Sequence, residues 1–185
     1  MLFSIQDGKF VGVAPYLPPV PNRGAKARRE AYEHNRHRVY ALAFWMTDNE
    51  LAAEELMIKA FRRALATTDT PGEDEVDRAL IDELRKMMPL GTLSLDCSPS
   101  RDTRSVRYNI RRVDLERAVV QLPPTEKLIF LMHDVERYSH ERIARRLGLT
   151  EGESRQGLHQ ARLCLRQLLA ESAGFRSNRQ TPFLS

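Results

Sequence analysis

Five polar side chains lie close together near the C-terminal end of the chain, in a segment whose apolar residues follow helical spacing. They are Glu153, Arg155, Gln156, His159 and Gln160. Arginine can pair bidentately with guanine, glutamine can pair with adenine, and a carboxylate can accept a hydrogen bond from cytosine. Exposed together on one helix, side chains of these types can read base edges in the major groove of DNA.

Capping and turn signals predict the elements that hold these side chains. Ser139 is expected to cap a short helix that ends at Leu147. Gly148 supplies the positive φ of a tight turn, and Thr150 with Glu153 forms a capping box that begins the next helix. A short helix, a glycine turn and a capped second helix are the pattern of a helix-turn-helix, whose second helix enters the major groove.

Three arginines accompany this unit. We expect Arg145, Arg146 and Arg162 to neutralise phosphates, which positions a protein on DNA without reading its sequence. The alternative is a plain helical hairpin whose polar residues are solvated. The agreement of the caps, the turn glycine and the basic exposed face favours DNA binding.

Charge is distributed unevenly along the 185 residues, whose net charge is +4. Residues 101–185 hold 16 basic and 10 acidic residues, whereas residues 1–100 hold 13 and 15. The basic part suits a polyanion, and the mildly acidic part can meet a protein. Charge alone is equally compatible with a merely solvated basic surface.

Hydrophobic periodicity predicts an all-α protein with two small helical domains joined by a flexible linker. An Asp7-Gly8 pair between alternating runs predicts an N-terminal β-hairpin. Asp48 is expected to cap the second helix, and the third helix is predicted from Glu73 to about Met88. The predicted divisions are a hairpin with a proline-rich tether (1–25), a three-helix domain (26–88), a linker (89–109), a four-helix domain containing the helix-turn-helix (110–172) and a tail (173–185).

Composition and the N-terminal segment indicate the compartment. Cys97 and Cys164 match no metal-ligand or CxxC spacing, so we expect a reducing compartment and no disulfide framework. Apolar runs fall short of the roughly 18 residues that span a bilayer. The first residues lack the basic leader and the apolar region of a secretory signal. We therefore expect a cytoplasmic protein without a membrane segment.

Catalytic and metal-binding constellations are not evident in the sequence. His133, Asp134, His140 and Glu141 straddle a predicted loop without the tight spacing of metal ligands, so we interpret them as surface polar residues. Neither a nucleophile elbow nor a phosphate-binding glycine loop is present. We expect no enzyme, no metal and no cofactor.

A series of short motifs runs from Leu115 to Leu169. They are Leu122-Pro123, the Leu131 to Val135 run before Tyr138, Ile143-Ala144, Leu147-Gly148-Leu149, Leu158-His159 and Ala161-Arg162. Together they resemble the C-terminal, promoter-binding domain (region four) of bacterial sigma factors, especially the extracytoplasmic-function group. The resemblance implies two partners for this part of the chain, the upstream (−35) promoter element and the β-flap of RNA polymerase.

Another run, Ala53-Glu54-Glu55-Leu56 through Phe61, follows a predicted helix that contains Arg38-Val39-Tyr40. The stretch from Tyr32 to Leu65 resembles the first part of sigma region two, which grips the β′ coiled coil of RNA polymerase core. The resemblance implies a set of polymerase-binding residues, namely Glu54, Glu55, Ile58, Lys59 and Arg62.

The third predicted helix departs from the sigma pattern. Region two usually continues with a helix bearing a Trp-Leu pair and an asparagine that capture flipped bases of the downstream (−10) element. Residues 73–88 are acidic early and hold no aromatic residue, although base capture needs stacking platforms and a positive groove. Ile58 also replaces a usually polar residue, Ser154 a usually buried valine and Gly157 a usually basic residue.

The leading hypothesis is a small two-domain sigma factor that directs RNA polymerase to a subset of promoters. The first alternative is a sigma-like DNA-binding regulator that does not melt promoters, which the acidic third helix favours. The second alternative is an interaction module that binds polymerase or an anti-sigma protein, which the N-terminal hairpin favours.

Overall fold

The computed structural model describes the backbone of residues 5–6, 9–10, 23–68, 70–94 and 110–177. These residues are almost entirely helical, which confirms the predicted all-α class. The elements are β1 (Ile5–Gln6), β2 (Lys9–Phe10), α1 (Arg23–Thr47), α2 (Glu50–Thr67), α3 (Glu73–Leu84), α4 (Arg112–Val120), α5 (Pro124–Phe130), α6 (His140–Leu147) and α7 (Glu151–Ser177).

The two short strands pair with each other near the N-terminus. β1 and β2 are antiparallel, with Ile5 opposite Phe10 and Gln6 opposite Lys9. The Asp7-Gly8 pair on which the hairpin prediction rested lies outside the described residues, as does the proline-rich tether.

Helices α1, α2 and α3 pack as a three-helix unit around a shared apolar core. Its buried side chains include Val39, Leu42, Leu56, Phe61, Val76, Leu80 and Leu84. The cap of α2 differs from the prediction: Asp48 adopts a left-handed φ of 51°, and Asn49 Oδ1 accepts the Ala52 N–H at 2.9 Å. The expectation for Asp48 is therefore wrong, because the chain needs one more residue to complete the turn.

Helix α3 is shorter than predicted, ending at Leu84 rather than near Met88. The Lys86 and Met87 N–H groups donate to carbonyls three residues earlier, those of Glu83 and Leu84. Such bonds tighten the last turn of a helix. Because Pro89 disfavours helical backbone at the residue before it, the helix could not have continued through this position.

Helices α4 to α7 form the second unit, with α5 beginning at Pro124 as predicted. A π-helical turn (Leu131–Val135) continues α5, and the Glu136 N–H donates to the Leu131 carbonyl five residues earlier. The additional residue rotates the last side chain away from the core. Val135, the last residue of this turn, is consequently 55% exposed.

Leu115 on α4 is 42% exposed. Asp114 occupies the buried side of this short helix instead. Its carboxylate accepts the backbone N–H of Arg111 at 3.3 Å, which caps the start of the helix. The inward position is thus taken by a capping carboxylate, and Leu115 lies on the outer face.

The segment after α3 lies against the second unit. The Gly91 N–H donates to Thr125 Oγ1 at 3.2 Å, and the Ser94 N–H donates to the Glu126 carboxylate. Gly91 has a φ of +95°, and a Cβ there would lie 2.9 Å from the Leu147 carbonyl oxygen. We predicted a linker over residues 89–109; its first residues make these contacts, and residues 95–109 lie outside the described part.

Cys164 is buried on α7 and disulfide-bonded. Our expectation that the chain has no disulfide is therefore wrong. It rested on the absence of a recognisable cysteine spacing, which does not limit disulfide formation because only the distance between sulfurs in the folded chain matters. Among the described helices, none combines the length and the apolar character needed to cross a membrane.

Candidate nucleic-acid interface

The predicted helix-turn-helix is present in α6, the turn after it and α7. Ser139 Oγ accepts the Arg142 N–H at 3.2 Å and caps α6. Gly148 ends α6 in the left-handed region at φ 74°, and the Leu149 N–H donates back to the Ala144 carbonyl at 2.9 Å. These bonds satisfy both ends of a helix of only eight residues and fix the angle at which α7 leaves the turn.

The start of α7 is held by the predicted capping box. Thr150 Oγ1 accepts the Glu153 N–H at 3.2 Å, and Glu153 Oε2 accepts the Thr150 N–H at 2.7 Å. The hydrogen bond from the Thr150 backbone lowers the pKa of the Glu153 carboxyl. Glu153, which we also expected to contact bases, is thus engaged in capping the helix.

The other base-reading candidates lie on the solvent side of the first turns of α7. Arg155, Gln156 and His159 are exposed, and Gln160 is half-buried. Arg155 forms an ion pair with Glu151 one turn earlier. Exposed pairs of this spacing contribute only about 0.5 kcal/mol, so Arg155 can exchange Glu151 for a nucleic-acid partner.

The three phosphate-binding candidates differ in their surroundings. Arg145 is exposed and pairs with Glu141 on its own helix at 2.8 Å. Arg162 binds both oxygens of Asp134 at 3.1 and 2.7 Å. Burial tends to raise the pKa of Asp134, but the hydrogen bonds and charges of Arg162 and His133 together outweigh burial and lower that pKa.

Arg146 is the third candidate, and it faces the first unit rather than solvent. Its side chain is 5% exposed and lies 2.6 Å from Asp74 of α3. The neighbouring Arg142 reaches three carboxylates of the same helix, Glu73 at 3.1 Å, Asp74 at 3.0 Å and Asp77 at 3.2 Å. The hydrogen bond from Arg146 lowers the pKa of Asp74. The acidic start of α3 therefore lies directly against the basic side of α6.

Asp77 is the centre of this contact and is 2% exposed. Its carboxylate pairs with Arg38 of α1, accepts the Tyr138 hydroxyl at 2.8 Å and accepts Arg142. The Arg142 guanidinium also lies over the Tyr138 ring, 3.7 Å from its centroid. Burial raises the pKa of Tyr138, which keeps the hydroxyl protonated as a donor.

Residues 104–165, a third of the chain, match the family Sigma-70, region 4. The ECF RNA polymerase sigma factor SigE of Mycolicibacterium smegmatis is 28% identical over 157 residues, an alignment that covers 77% of this chain and 61% of that protein. The chain thus spans about three fifths of the length of this curated relative.

Residues 104–165 thus match sigma region 4, and most of the chain is similar to a sigma factor of the extracytoplasmic-function type. The match to region 4 falls on the unit formed by α4 to α7. In the described residues, no group of three or more His, Cys, Asp or Glu side chains is arranged to hold a metal ion.

The serine that replaces a valine in this region 4 domain has a hydrogen-bonding partner. Ser154 is completely buried, and its Oγ lies 3.0 Å from His140 Nδ1. The His140 ring stacks on His133 at 4.5 Å between centroids, and His133 Nδ1 lies 2.8 Å from Asp134. Burial, followed by the nearby His133, lowers the pKa of His140. This polar chain joins the π-helical turn to α6 and α7.

Gly157 has a packing reason for its lack of a side chain. A Cβ at this position of α7 would lie 2.5 Å from Ile129 Cδ1 and 2.9 Å from Leu93 Cδ2. Leu93 belongs to the segment that follows α3. The glycine therefore lets both the region 4 core and the preceding segment approach the backbone of the recognition helix.

The polymerase-binding candidates form an exposed stripe on α2. All five are exposed, namely Glu54, Glu55, Ile58, Lys59 and Arg62. Ile58 is 54% exposed, and Leu51, one turn before Glu54 and Glu55, is 77% exposed. Leu51 and Ile58 are seven residues apart, so both lie on the same face of α2.

Several residues of the interface between the two units were not predicted from the sequence. Arg142, Tyr138 and the carboxylates of α3 were not among the candidates, because their roles depend on a contact between distant segments. The available signal was complementarity of charge: the first turns of α3 read EDEVD, and α6 reads HERIARRL.

Proposed function

We propose that the chain is a sigma factor that directs RNA polymerase to specific promoters, with α7 of its region 4 domain binding the upstream (−35) element. The observation that supports this most directly is the exposure of Arg155, Gln156 and His159 on the first turns of a capped recognition helix. Residues at this end of a helix-turn-helix reach base edges.

The polymerase-binding part of the proposal rests on the α2 stripe. Glu54, Glu55, Ile58, Lys59 and Arg62 would contact the β′ coiled coil, while the region 4 domain would contact the β-flap. An anti-sigma protein is a further candidate partner for the same surfaces. Because polymerase is its partner, the protein would act in the cytoplasm.

Run-off transcription with purified bacterial core polymerase on pooled fragments of the source genome tests the function directly. Discrete transcripts that depend on the protein are expected. Arg155→Ala with Gln156→Ala should abolish promoter selection and leave polymerase binding intact, since each bidentate base contact contributes about 1–3 kcal/mol of discrimination.

The same helix supplies a matched control. Arg166→Ala with Gln167→Ala removes the same residue types about 16 Å further along α7, away from the turn that presents base-reading side chains. This variant should transcribe as the wild type does. Equal loss in both variants, or loss of polymerase binding together with promoter selection, would contradict the division of labour between α2 and α7.

A second candidate function is a sigma-like regulator that binds DNA without melting promoters. The observation that favours it is α3, whose first turn carries Glu73, Asp74 and Glu75 and whose remainder holds no aromatic residue. Absence of transcripts, with the protein still bound to core polymerase or to DNA, would favour this regulator. DNA affinity that is independent of salt would contradict both candidates, because phosphate contacts release counterions.

If charge reversal at Arg145, Arg146 and Arg155 left function unchanged, the interaction-module alternative would be favoured instead.

A further inference from the structure

We propose that His140 is a positioning residue of the recognition helix: in its neutral form it holds α7 through Ser154, and when it takes up a proton the selectivity of the chain for promoter DNA falls. This inference rests on the DNA-binding function proposed above. From the sequence, His140 and its neighbour His133 were interpreted as surface polar residues. The structure instead places both in the polar chain that joins the π-helical turn to α6 and α7.

The polar chain holds α7 at two places. At one end, His140 Nδ1 lies 3.0 Å from Ser154 Oγ. The His140 ring stacks on His133, with 4.5 Å between centroids, and His133 Nδ1 lies 2.8 Å from Asp134 Oδ1. At the other end, Asp134 accepts two hydrogen bonds from the Arg162 guanidinium. Ser154 and Arg162 both belong to α7 and are about 12 Å apart along its axis, so the chain of contacts fixes the orientation of the helix as well as its position.

The contact at Ser154 suits a neutral imidazole. Ser154 is completely buried, and a buried hydroxyl needs an acceptor for its proton. A neutral His140 can offer Nδ1 as that acceptor, whereas both nitrogens of an imidazolium are donors. A proton on His140 would therefore oblige the Ser154 hydroxyl to accept, and the serine proton would lose the acceptor that Nδ1 provides. The link between α6 and α7 is consequently weakest when His140 is charged.

The surroundings of His140 also oppose a proton there. His140 is the first residue of α6, where the helix dipole disfavours a cation. The titratable and charged groups that face it are His133 of the π-helical turn and Glu151, Arg155 and Arg162 of α7. Burial, followed by the nearby His133 and Arg155, lowers the pKa of His140. Glu151 acts in the opposite direction and does not outweigh them.

Helix α3 also packs on α6, but its carboxylates end at Arg142 and Arg146 rather than at His140. They are those of Glu73, Asp74 and Asp77. Within α6 itself, the Glu141 carboxylate pairs with Arg145. The acids around α6 thus engage its arginines, and the balance of charge at His140 is set by α7 and the π-helical turn.

The polar chain reaches α7 directly beside the side chains that are proposed to read bases. Ser154 immediately precedes Arg155 and Gln156, which are exposed. A displacement of Ser154 would therefore move both side chains relative to the base edges. Contacts to phosphate tolerate such a movement because they carry no sequence information, and a charged His140 adds to the attraction of DNA. Acid should thus lower selectivity between sequences without lowering affinity for DNA in general.

The test measures the affinity of the full chain for two fluorescent duplexes at about pH 7.5 and about pH 5, on either side of the ordinary histidine pKa. One duplex carries a promoter obtained from the run-off experiment, and the other has the same bases in scrambled order. Selectivity is the ratio of the two affinities. Proton–nitrogen NMR of the full chain without DNA follows the His140 ring and the backbone amides of Ser154 and Gln156 through the same pH range.

Three variants separate the contribution of His140 from that of other groups. His140→Asn is the most informative, because an asparagine amide can take the place of Nδ1 and bond Ser154 without titrating. Ser154→Ala keeps both histidines and removes their link to α7. His37→Asn is the matched control, since His37 is exposed on α1. Far-UV circular dichroism of each variant establishes that it is folded.

In the wild type we expect selectivity to be about ten-fold lower at the acidic pH, which is the discrimination that one good base contact provides. The amides of Ser154 and Gln156 should shift together with the His140 ring, at a single midpoint below the ordinary histidine value of 6.5. His37→Asn should behave in the same way. His140→Asn should have the same selectivity at both pH values, and Ser154→Ala should already have low selectivity at the higher pH.

Equal selectivity of the wild type at both pH values would overturn the role of His140. An equal fall in His140→Asn would overturn it as well, because the exposed His159, which that variant retains, would then be the titrating group. Amides of α7 that did not shift with the His140 ring would exclude the link through Ser154. If those amides shifted but neither duplex was preferred at either pH, His140 would still position α7 and the base-reading function of the helix would fail.

Discussion

The two helices proposed to meet partners, α2 and α6, are treated in opposite ways by the fold. On α2 the apolar Leu51 and Ile58 are exposed, and the charged Glu55 pairs with Lys59 on the same helix. On α6 the charged Arg142 and Arg146 are covered by another helix. Folding alone favours the reverse, with apolar groups covered and charges solvated. The α2 face is thus exposed in the free chain, whereas the arginines of α6 are covered by carboxylates of α3.

The largest effect on stability is expected from Asp77→Ala, which removes the buried carboxylate that α3 presents to α1 and α6. Arg38 and Arg142 would lose their shared buried acceptor, so the free energy of unfolding should fall by about 3–5 kcal/mol. Urea unfolding measures this loss. Glu141→Ala, which removes an exposed partner of Arg145 on the same helix, should change stability by no more than about 0.5 kcal/mol. Similar losses in both variants would mean that Asp77 is not the anchor.

A smaller effect is expected on the uncovered side. Ile58→Lys places a charge in the centre of the α2 stripe and should weaken binding to core polymerase by about 2 kcal/mol, roughly 30-fold, as at other interface hot spots. Val135→Lys is the control, because Val135 is equally exposed but lies on the second unit. Fluorescence anisotropy with labelled protein gives both affinities. Unchanged binding in Ile58→Lys would remove α2 from the polymerase contact.

Two glycines of α7 are expected to change the stability of the chain in opposite directions when each is replaced by alanine. Gly157→Ala gains helix propensity but forces Ile129 and Leu93 to move, so stability should fall by a net of about 1 kcal/mol. At Gly152 a Cβ would meet only Thr150 Oγ1 at 3.9 Å, and Gly152→Ala should stabilise by about 0.5–1 kcal/mol. Thermal unfolding distinguishes the two. A stabilising Gly157→Ala would show that the approach of Leu93 is not tight.

The smallest effect concerns pH. Burial raises the pKa of Glu126, whose carboxylate lies under the segment after α3. The folded chain therefore holds this proton to higher pH than the unfolded chain does, and stability falls as pH rises from about 4.3, the ordinary glutamate pKa, to the raised value.

Glu126→Gln should abolish this fall in stability with rising pH. The variant is therefore expected to be more stable than wild type by on the order of 1 kcal/mol or less at pH 7, and equally stable below pH 4. Urea midpoints at both pH values measure it. The exposed Glu141→Gln is the comparison and should have less effect at pH 7. A benefit that persisted in acid would assign the gain to packing rather than to the charge.

Local features of the fold could be predicted because each depends on neighbouring residues. Ser139, Gly148 and the pair of Thr150 with Glu153 fix the helix-turn-helix through hydrogen bonds that span three or four residues. The same locality made Asp48 and Asn49 hard to distinguish, since both are good caps and only the backbone of the turn selects one.

Non-local features could not be predicted. The pairing of Asp74 with Arg146 joins residues 72 positions apart, and no periodicity in either helix specifies that the two faces meet. The π-helical turn at Leu131–Val135 likewise has no sequence signal in the α-helical pattern that surrounds it. Exposure of a candidate residue, which decides whether it can bind DNA, depends on contacts of both kinds.

The carboxylate of Asp77, shared by Arg38, Tyr138 and Arg142, also has a consequence for the history of the sequence. A mutation that removes the acid first would take the buried acceptor from Arg38 and Tyr138 and one of three carboxylates from Arg142, so natural selection should rarely retain it alone. Among close relatives these four positions should therefore change together. Glu141 and Arg145, whose pair is exposed, should drift independently. Covariation among positions 38, 77, 138 and 142 would then indicate that the contact between the two units was retained during the evolution of the protein.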